Sequence, residues 1–276
     1  MKPHAPPVAT PIAMFASFWR NRQLIQQLTR REIAARYRGS IIGLAWSFIN
    51  PLLMLFVYTF VFSVVFKARW GTNEQESRVD FAIILFTGMI VFGIFAEMVN
   101  RAPWQIIANT NYVKKVVFPL EILSWVSLGS VLFHSLVSLI VLLLVQFLIN
   151  SSLPWTVVLF PLVLLPLIFA SLGAAWFLAA LGVYVRDIGQ IITVFTTVLM
   201  FVSAVFYPVS ALPVVYQVWL RLNPLVLIIT ESRKVLIFGI LPDWSWWSIT
   251  LLVGLAIAVT GFWWFQKVRK GFADVL

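Results

Sequence analysis

Hydrophobic and polar positions fall along this chain in long blocks. Residues 39–66, 81–96, 122–185 and 188–220 contain no Asp, Glu, Lys or Arg. Each block approaches or exceeds the ~20 residues with which an α-helix crosses a ~30 Å hydrocarbon layer. The longest has room for two crossings, and "NSSLPW" at 150–155 is its natural break. The pattern predicts an all-α polytopic membrane protein with six transmembrane helices, at about 41–66, 82–100, 120–149, 156–184, 188–207 and 245–266. The third is long for one crossing, so it is expected to tilt or project from the bilayer.

Between the fifth and sixth spans, residues 208–244 are apolar but broken by Pro208, Pro213, Pro224 and Pro242, and they carry Arg221, Glu231, Arg233 and Lys234. Short re-entrant helices fit this segment better than a seventh span, because irregular backbone at membrane depth survives where protein or water covers it. At the other end, prolines at 3, 6, 7 and 11 and the lack of a continuous apolar core predict a disordered start rather than a cleavable signal peptide. From 24 to 38, Leu24, Ile25, Leu28 and Ile33 recur at roughly helical spacing among Arg30, Arg31, Arg36 and Arg38. That is the pattern of an amphipathic helix lying in the membrane interface. Gly39 of "YRGS" then supplies a turn before the first span, and Pro51 within that span leaves the carbonyl of Ser47 without its usual donor. The chain thus divides into residues 1–40, a start with an interface helix, and 41–276, a transmembrane domain.

Composition agrees: 61% of residues are hydrophobic and 11% charged, against about 25% charged in an ordinary globular domain. Cysteine is absent, which excludes disulfides and thiolate metal sites. Charge sets the orientation. Seven Lys and Arg precede the first span, and Arg101, Lys114, Lys115, Arg186, Lys267, Arg269 and Lys270 fall on the same side. Lys67, Arg69 and Arg78 on the opposite side are offset by Glu74, Glu76 and Asp80. The positive-inside rule therefore places both termini in the cytoplasm, as an even number of spans requires.

Three features then face the cytoplasm. Arg36 and Arg38 are either anchors that fix orientation or guanidiniums that receive a phosphate-bearing lipid, a geometry to which arginine is suited. In "RAPWQIIANTNYVKKVVFPLE", 101–121, Pro103 is expected to open a short helix. There Tyr112, Val113, Val116 and Phe118 present apolar surface beside Lys114 and Lys115, which reads as a docking site for a soluble partner or as packing against headgroups. "VYVRDIGQ", 183–190, is a tight turn in which Arg186 and Asp187 can cap helix ends.

Polar residues inside the spans carry information of their own. Ser124, Ser127, Ser130, His134, Ser135 and Ser138 share an arc of about 140° on the third span, where small hydroxyls allow close helix packing. In the fifth span, Gln190, Thr193, Thr196, Thr197, Ser203 and Tyr207 read as the lining of a wet or sugar-bearing conduit. Aromatics, 16% of the chain, serve interface belts and can stack on sugar rings. What is missing is equally informative. No Gly-Lys pair exists to form a P-loop, there is no H-E-x-x-H, no paired carboxylates occur at a recognisable spacing, and no span has a central charge. Glu97, near the inner end of the second span, can pair with Arg101. Catalytic and metal-binding residues are therefore not expected, and energy has to come from outside the chain.

"RREIAARYRGSIIGLAWSFINPLLMLFVYTFVFSVVFKARWG", "NRAPWQIIANTNYVKKVVFPLEIL", "LGVYVRDIGQ" and "VFYPVSALP" together resemble the membrane (permease) subunit of ABC-2-type polysaccharide exporters, with the greatest likeness to the O-antigen exporter branch. The resemblance implies a homodimer of this subunit joined to two copies of an ATP-binding subunit, which holds the ATP and Mg; no cofactor is implied for this chain. It implies a substrate of undecaprenyl-pyrophosphate-linked polysaccharide, moved from the cytoplasmic to the periplasmic side of a bacterial inner membrane. Nucleic acid is not among the partners. By the same resemblance, residues 101–119 form a coupling loop, with Asn111, Tyr112, Val113, Lys114, Lys115, Phe118 and Pro119 against the ATPase. Arg36, Arg38 and Gly39 match the gate for the lipid pyrophosphate, and 208–244 the periplasmic re-entrant helices. Capsule and teichoic acid exporters share this architecture, as do ABC-2 exporters of small amphiphiles. A membrane-embedded glycosyltransferase lacks its acidic pair here, and a passive channel would need no ATPase.

Overall fold

The computed structural model describes residues 10–65, 70, 78–114 and 118–276. These are helical, with no strand among them. Thr10 opens the first helix, α1 (Pro11–Arg20): its hydroxyl accepts from the Ala13 amide at 3.2 Å, and Pro11 supplies the fixed φ suited to a first turn. The disordered start expected ahead of the interface helix falls on residues outside the described part. The apolar side of α1 lands on the core, with Met14 buried and Phe18 4.7 Å from Trp125. Residues 1–9 lie outside the described part. The interface helix predicted over 24–38 corresponds to α2 (Arg22–Arg36), which buries Ile25. It ends in a turn at Gly39, φ +84°, a conformation open to glycine without strain.

The first span comprises a 3₁₀ turn Gly43–Ala45, α3 (Trp46–Tyr58), which continues through Pro51, and a π-helical stretch Thr59–Val65. The second, α4 (Arg78–Gln105), is longer than expected. Pro103 does not open a separate helix but sits in the last turn of α4, where it leaves the carbonyl of Val99 without its helical donor. Its backbone rests on Gly182, where a Cβ would collide with the Pro103 carbonyl. A 3₁₀ turn Ile107–Asn109 and the short α5 (Thr110–Lys114) follow.

The third span is α6 (Ile122–Asn150), stopped by Ser151 in the left-handed region. The fourth is segmented by Pro161 and Pro166 into a 3₁₀ stretch Trp155–Leu159, α7 (Phe160–Val163) and α8 (Leu165–Tyr184). The segment predicted as the fifth span holds α9 (Ile188–Val202), which at 15 residues, about 22 Å of helix, is not among the stretches long enough to cross a membrane, and it ends at Ser203 rather than at 207. Residues 208–244 hold a 3₁₀ turn Val209–Ala211, α10 (Val214–Arg221), α11 (Pro224–Arg233) and a π-helical stretch Lys234–Phe238 that Gly239 closes at φ +66°. Neither helix is long enough for a seventh crossing. Asp243 caps α12 (Trp244–Val268) through the amides of Ser245 and Trp246, and a 3₁₀ turn leads into α13 (Phe272–Val275).

Among the described residues, five helical stretches are long and apolar enough to cross a membrane: Gly43–Val61, Phe81–Gln105, Ile122–Asn150, Trp155–Tyr184 and Trp244–Val275. The α4 stretch is central, with 72% of its most apolar 18 residues buried, against 11% for the first. It packs on α6, α8, α9 and α11. The most extensive helix contact is that of α8 with α12, where a Cβ on Gly173 would overlap the backbone of Ile257 and one on Gly261 the carbonyl of Gly173. Small residues let membrane helices approach in this way.

Candidate gate and coupling region

Two charged pairs sit at the i, i+4 spacing, Glu32/Arg36 on α2 and Glu97/Arg101 on α4, and the helices run past each other so that the pairs interlock. Arg36 Nη1 meets Glu97 Oε1 at 2.8 Å, Arg101 Nη2 meets Glu32 Oε1 at 2.9 Å, and Arg101 Nη1 lies 3.5 Å from Glu97 Oε1. The sequence disclosed only the Glu97–Arg101 pair. The signal it held for the rest was the shared spacing of opposite charges on two segments.

Behind this ladder is a cavity of about 370 Å³ between α2, α3, α4 and α6. Arg36, Tyr37, Glu97 and His134 give it polar groups, Asn50 an amide, and Pro51, Met54 and Met89 apolar walls. The Tyr37 hydroxyl is 3.2 Å from His134 Nδ1. Burial pushes the Tyr37 phenol above its ordinary value, with Arg36 acting against the shift and Glu97 adding to it, so the phenol is protonated at neutral pH. Of the three gate candidates, Arg36 is therefore at the cavity mouth and engaged with Glu97. Arg38 and Gly39 are exposed on the turn beside it.

The coupling candidates divide in two. Asn111 and Lys114 are exposed, whereas Tyr112, Val113, Phe118 and Pro119 are half-buried, and Tyr112, Val113 and Phe118 pack on the core. The Tyr112 ring stacks on Phe118 at 4.3 Å and its hydroxyl accepts from Arg31 at 2.9 Å, tying α5 to α2. Lys114 donates to the Leu276 carbonyl at 2.5 Å. Lys115 and Val116 lie outside the described residues. Beyond the loop, buried Glu121 accepts from Ser17 at 3.1 Å and Arg269 at 2.9 Å, which braces this end to α1 and to the turn after α12.

The conduit candidates also separate. Thr193 and Thr197 are exposed on α9 and return their hydroxyls to the carbonyls of Gly189 and Thr193. Thr196 is buried and bonded to Asn100 at 3.1 Å, Ser203 is buried and accepts from Asn223, and Tyr207 donates to the Phe201 carbonyl at 2.8 Å. In α6, Ser124 and Ser127 bond Gln105, the packing alternative for that stripe. Arg186 and Asp187 are exposed. Asp187 stands at the N-cap of α9 without a side-chain hydrogen bond, so the expected capping is done by its carbonyl alone.

At the opposite end of α4 the structure holds a residue that sequence reasoning passed over. Arg233 on α11 is 4% exposed and donates to the carbonyls of Ile84 (3.1 Å), Ala204 (3.0 Å) and Val205 (2.7 Å). Its guanidinium lies 4.3 Å from the centre of the Trp70 ring. Among the described residues, no group of three or more His, Asp and Glu is placed to hold a metal ion.

The ABC-2 type transporter family profile matches residues 23–237. The chain is 29% identical over 269 residues to the O-antigen export system permease protein RfbA of Myxococcus xanthus, covering 95% of this chain and 99% of that protein. It is 26% identical to a Klebsiella pneumoniae protein of the same name over 92% of this chain and 95% of that one. Against the polysialic acid transport protein KpsM of Escherichia coli the identity is 23%, over 84% of this chain and 91% of KpsM. With a family profile spanning most of its helical bundle, the chain belongs to the ABC-2 type transporters.

Proposed function

We propose that this chain is the membrane subunit of an ATP-driven exporter that moves undecaprenyl-pyrophosphate-linked polysaccharide, of the O-antigen class, from the cytoplasmic to the periplasmic side of the inner membrane. The observation that carries the reading is the cavity behind Arg36, which joins a guanidinium at its mouth to a mixed polar and apolar interior. A lipid-linked pyrophosphate presents that same succession of charge and apolar chain. The near full-length similarity to RfbA permeases supports the polysaccharide.

In this reading α9 is the fifth of six spans, both termini are cytoplasmic, α2 lies in the interface, and α10 and α11 are re-entrant on the periplasmic side. Two copies pair with two ATP-binding subunits that dock at Asn111, Lys114 and Lys115 and hold ATP and Mg. Tyr112 then relays the movement of α5 to α2 through Arg31. Thr193 and Thr197, on the exposed face of α9, line the conduit with the second copy.

Deleting the gene in its host and locating the lipid-linked glycan tests the proposal. Polymer trapped on the cytoplasmic side, with synthesis intact, is the expected result. Normal surface glycan without a redundant exporter would move the assignment to a small amphiphile. The similarity to KpsM favours capsule as a second reading, which the sugar composition of the trapped polymer decides.

A further inference from the structure

We propose that Glu121 and Arg269 form a clasp that makes the α8–α12 pair follow the 101–119 loop, so that both are positioning residues for ATP-driven movement. The proposal rests on the reading of α5 as the ATPase docking element, and goes beyond it in naming the helices that respond and the side chains that make them respond.

Glu121 stands at the N-cap of α6, just beyond Pro119, yet its side chain makes no hydrogen bond to the amides of that helix. A carboxylate in this position ordinarily serves those amides. Both oxygens of the buried carboxylate are instead spent on other elements. Oε1 accepts from Ser17 of α1 at 3.1 Å, and Oε2 accepts from Nη1 of Arg269, past the end of α12, at 2.9 Å. The backbone carbonyl of Glu121 accepts from Trp176 of α8 at 2.9 Å. The exit of the loop is therefore tied to α1, α8 and the turn after α12 by one residue.

That turn reaches the loop at a second place. α13 rests against α5, and Lys114 of α5 donates to the Leu276 carbonyl. α13 is itself fixed to the bundle: Phe272 is fully buried, its ring 5.6 Å from Phe265 of α12 and 6.1 Å from Tyr184 of α8. The Tyr184 hydroxyl donates to the Val268 carbonyl at 3.2 Å, which joins the ends of α8 and α12. Both grips on the loop thus belong to the pair of helices whose backbones meet at Gly173 and Gly261. Apolar side chains in place of a buried ion pair hold elements together as firmly. What the pair adds is direction. Nη1 of Arg269 also donates to the buried Gln266 Oε1 at 2.8 Å, so the carboxylate is fixed against the last turn of α12 and cannot slide along it.

The test uses the full chain assembled with its ATP-binding subunit in nanodiscs. The chain has no cysteine, so a fluorophore on Val253→Cys, exposed on α12, reports that helix alone. ATP is expected to shift its emission. Arg269→Gln is expected to reduce the shift roughly fivefold per assembled complex, while the complex still hydrolyses ATP. Arg269→Lys is expected to keep the response, because both bonds leave from one nitrogen and an ammonium placed there can make both. Lys270→Gln removes the same charge from the exposed neighbour and is expected to stay within about twofold of the wild type. If Arg269→Gln fails to assemble, Glu121→Met combined with Arg269→Met removes both charges at similar volume, and is expected to assemble without the response. A merely structural pair would lower assembly and hydrolysis together and leave the response of each assembled complex unchanged; that result overturns the clasp. So does loss of assembly in both variants, an equal loss of response in Lys270→Gln, or an assembled wild type whose fluorophore ignores ATP. Failure of the ATP-binding subunit to bind the chain would sink the docking reading and the clasp with it, and the export reading is decided separately by where the glycan accumulates.

Discussion

Two arginines show how environment decides the work of one side chain. Arg36 is half in solvent and shares a carboxylate, so its contact is exchangeable. Arg233 is buried, faces no carboxylate within ion-pair distance among the described residues, and spends its donors on three carbonyls from α4 and the turn after α9. Two of them, Ala204 and Val205, lie where the chain has left α9, with Ala204 at φ +51°, and cannot pair in the ordinary way; the third, Ile84, is inside α4. Arg233→Met is therefore expected to destabilise the protein by about 2–4 kcal/mol, because acceptors are left unmet. Arg233→Lys should not restore the loss, since an ammonium lacks the fork. Thermal unfolding in detergent, followed by tryptophan fluorescence, measures both. The sequence placed Arg233 in a broken apolar segment but held no sign of its acceptors, which belong to elements about 30 and 150 residues away. Arg36 and Arg38 were legible as a basic junction, whereas the role of Glu97 in bridging helices depends on how α2 crosses α4.

Helices are held here by two devices, glycine seams and polar ties. At the α8–α12 seam, Gly173→Ala pushes a methyl into the backbone of Ile257 and should cost roughly 1–3 kcal/mol. Gly93→Ala, on the cavity side of α4, meets nothing within 4 Å and should be neutral or stabilising by up to about 1 kcal/mol. The same unfolding assay separates them, and equal losses would contradict the seam. The polar tie from Tyr112 to Arg31 is the link between α5 and α2. Tyr112→Phe should leave ATPase docking intact but lower ATP-driven transport, whereas Lys114→Glu should weaken docking itself, as read by co-purification of the ATP-binding subunit. Long uncharged blocks made the spans readable. Their ends were less so: Pro103 packs its backbone on Gly182 in the last turn of α4, and α9 stops early where Ala204 and Val205 turn their carbonyls to Arg233. α1 was missed because a proline-rich start masked one cap and an apolar face that only the core completes.

Across the whole molecule, α4 is an almost fully protein-packed post, while α3 and α9 turn apolar faces outward. A subunit built this way has a firm core and two loosely held walls, which suits a conduit completed by a second copy. Fold class and family were legible in the sequence because both depend on composition and on local motifs. The Arg36–Glu97 contact was only half legible, because it is made where segments about 60 residues apart meet. The most direct measurement reconstitutes the chain with its ATP-binding subunit in sealed vesicles whose cytoplasmic face is outward, and follows lipid-linked glycan into the lumen. The account predicts delivery that requires ATP and both subunits and that fails with Lys114→Glu. Glycan that enters without ATP, or that stays outside although the complex is assembled and hydrolysing ATP, would contradict it.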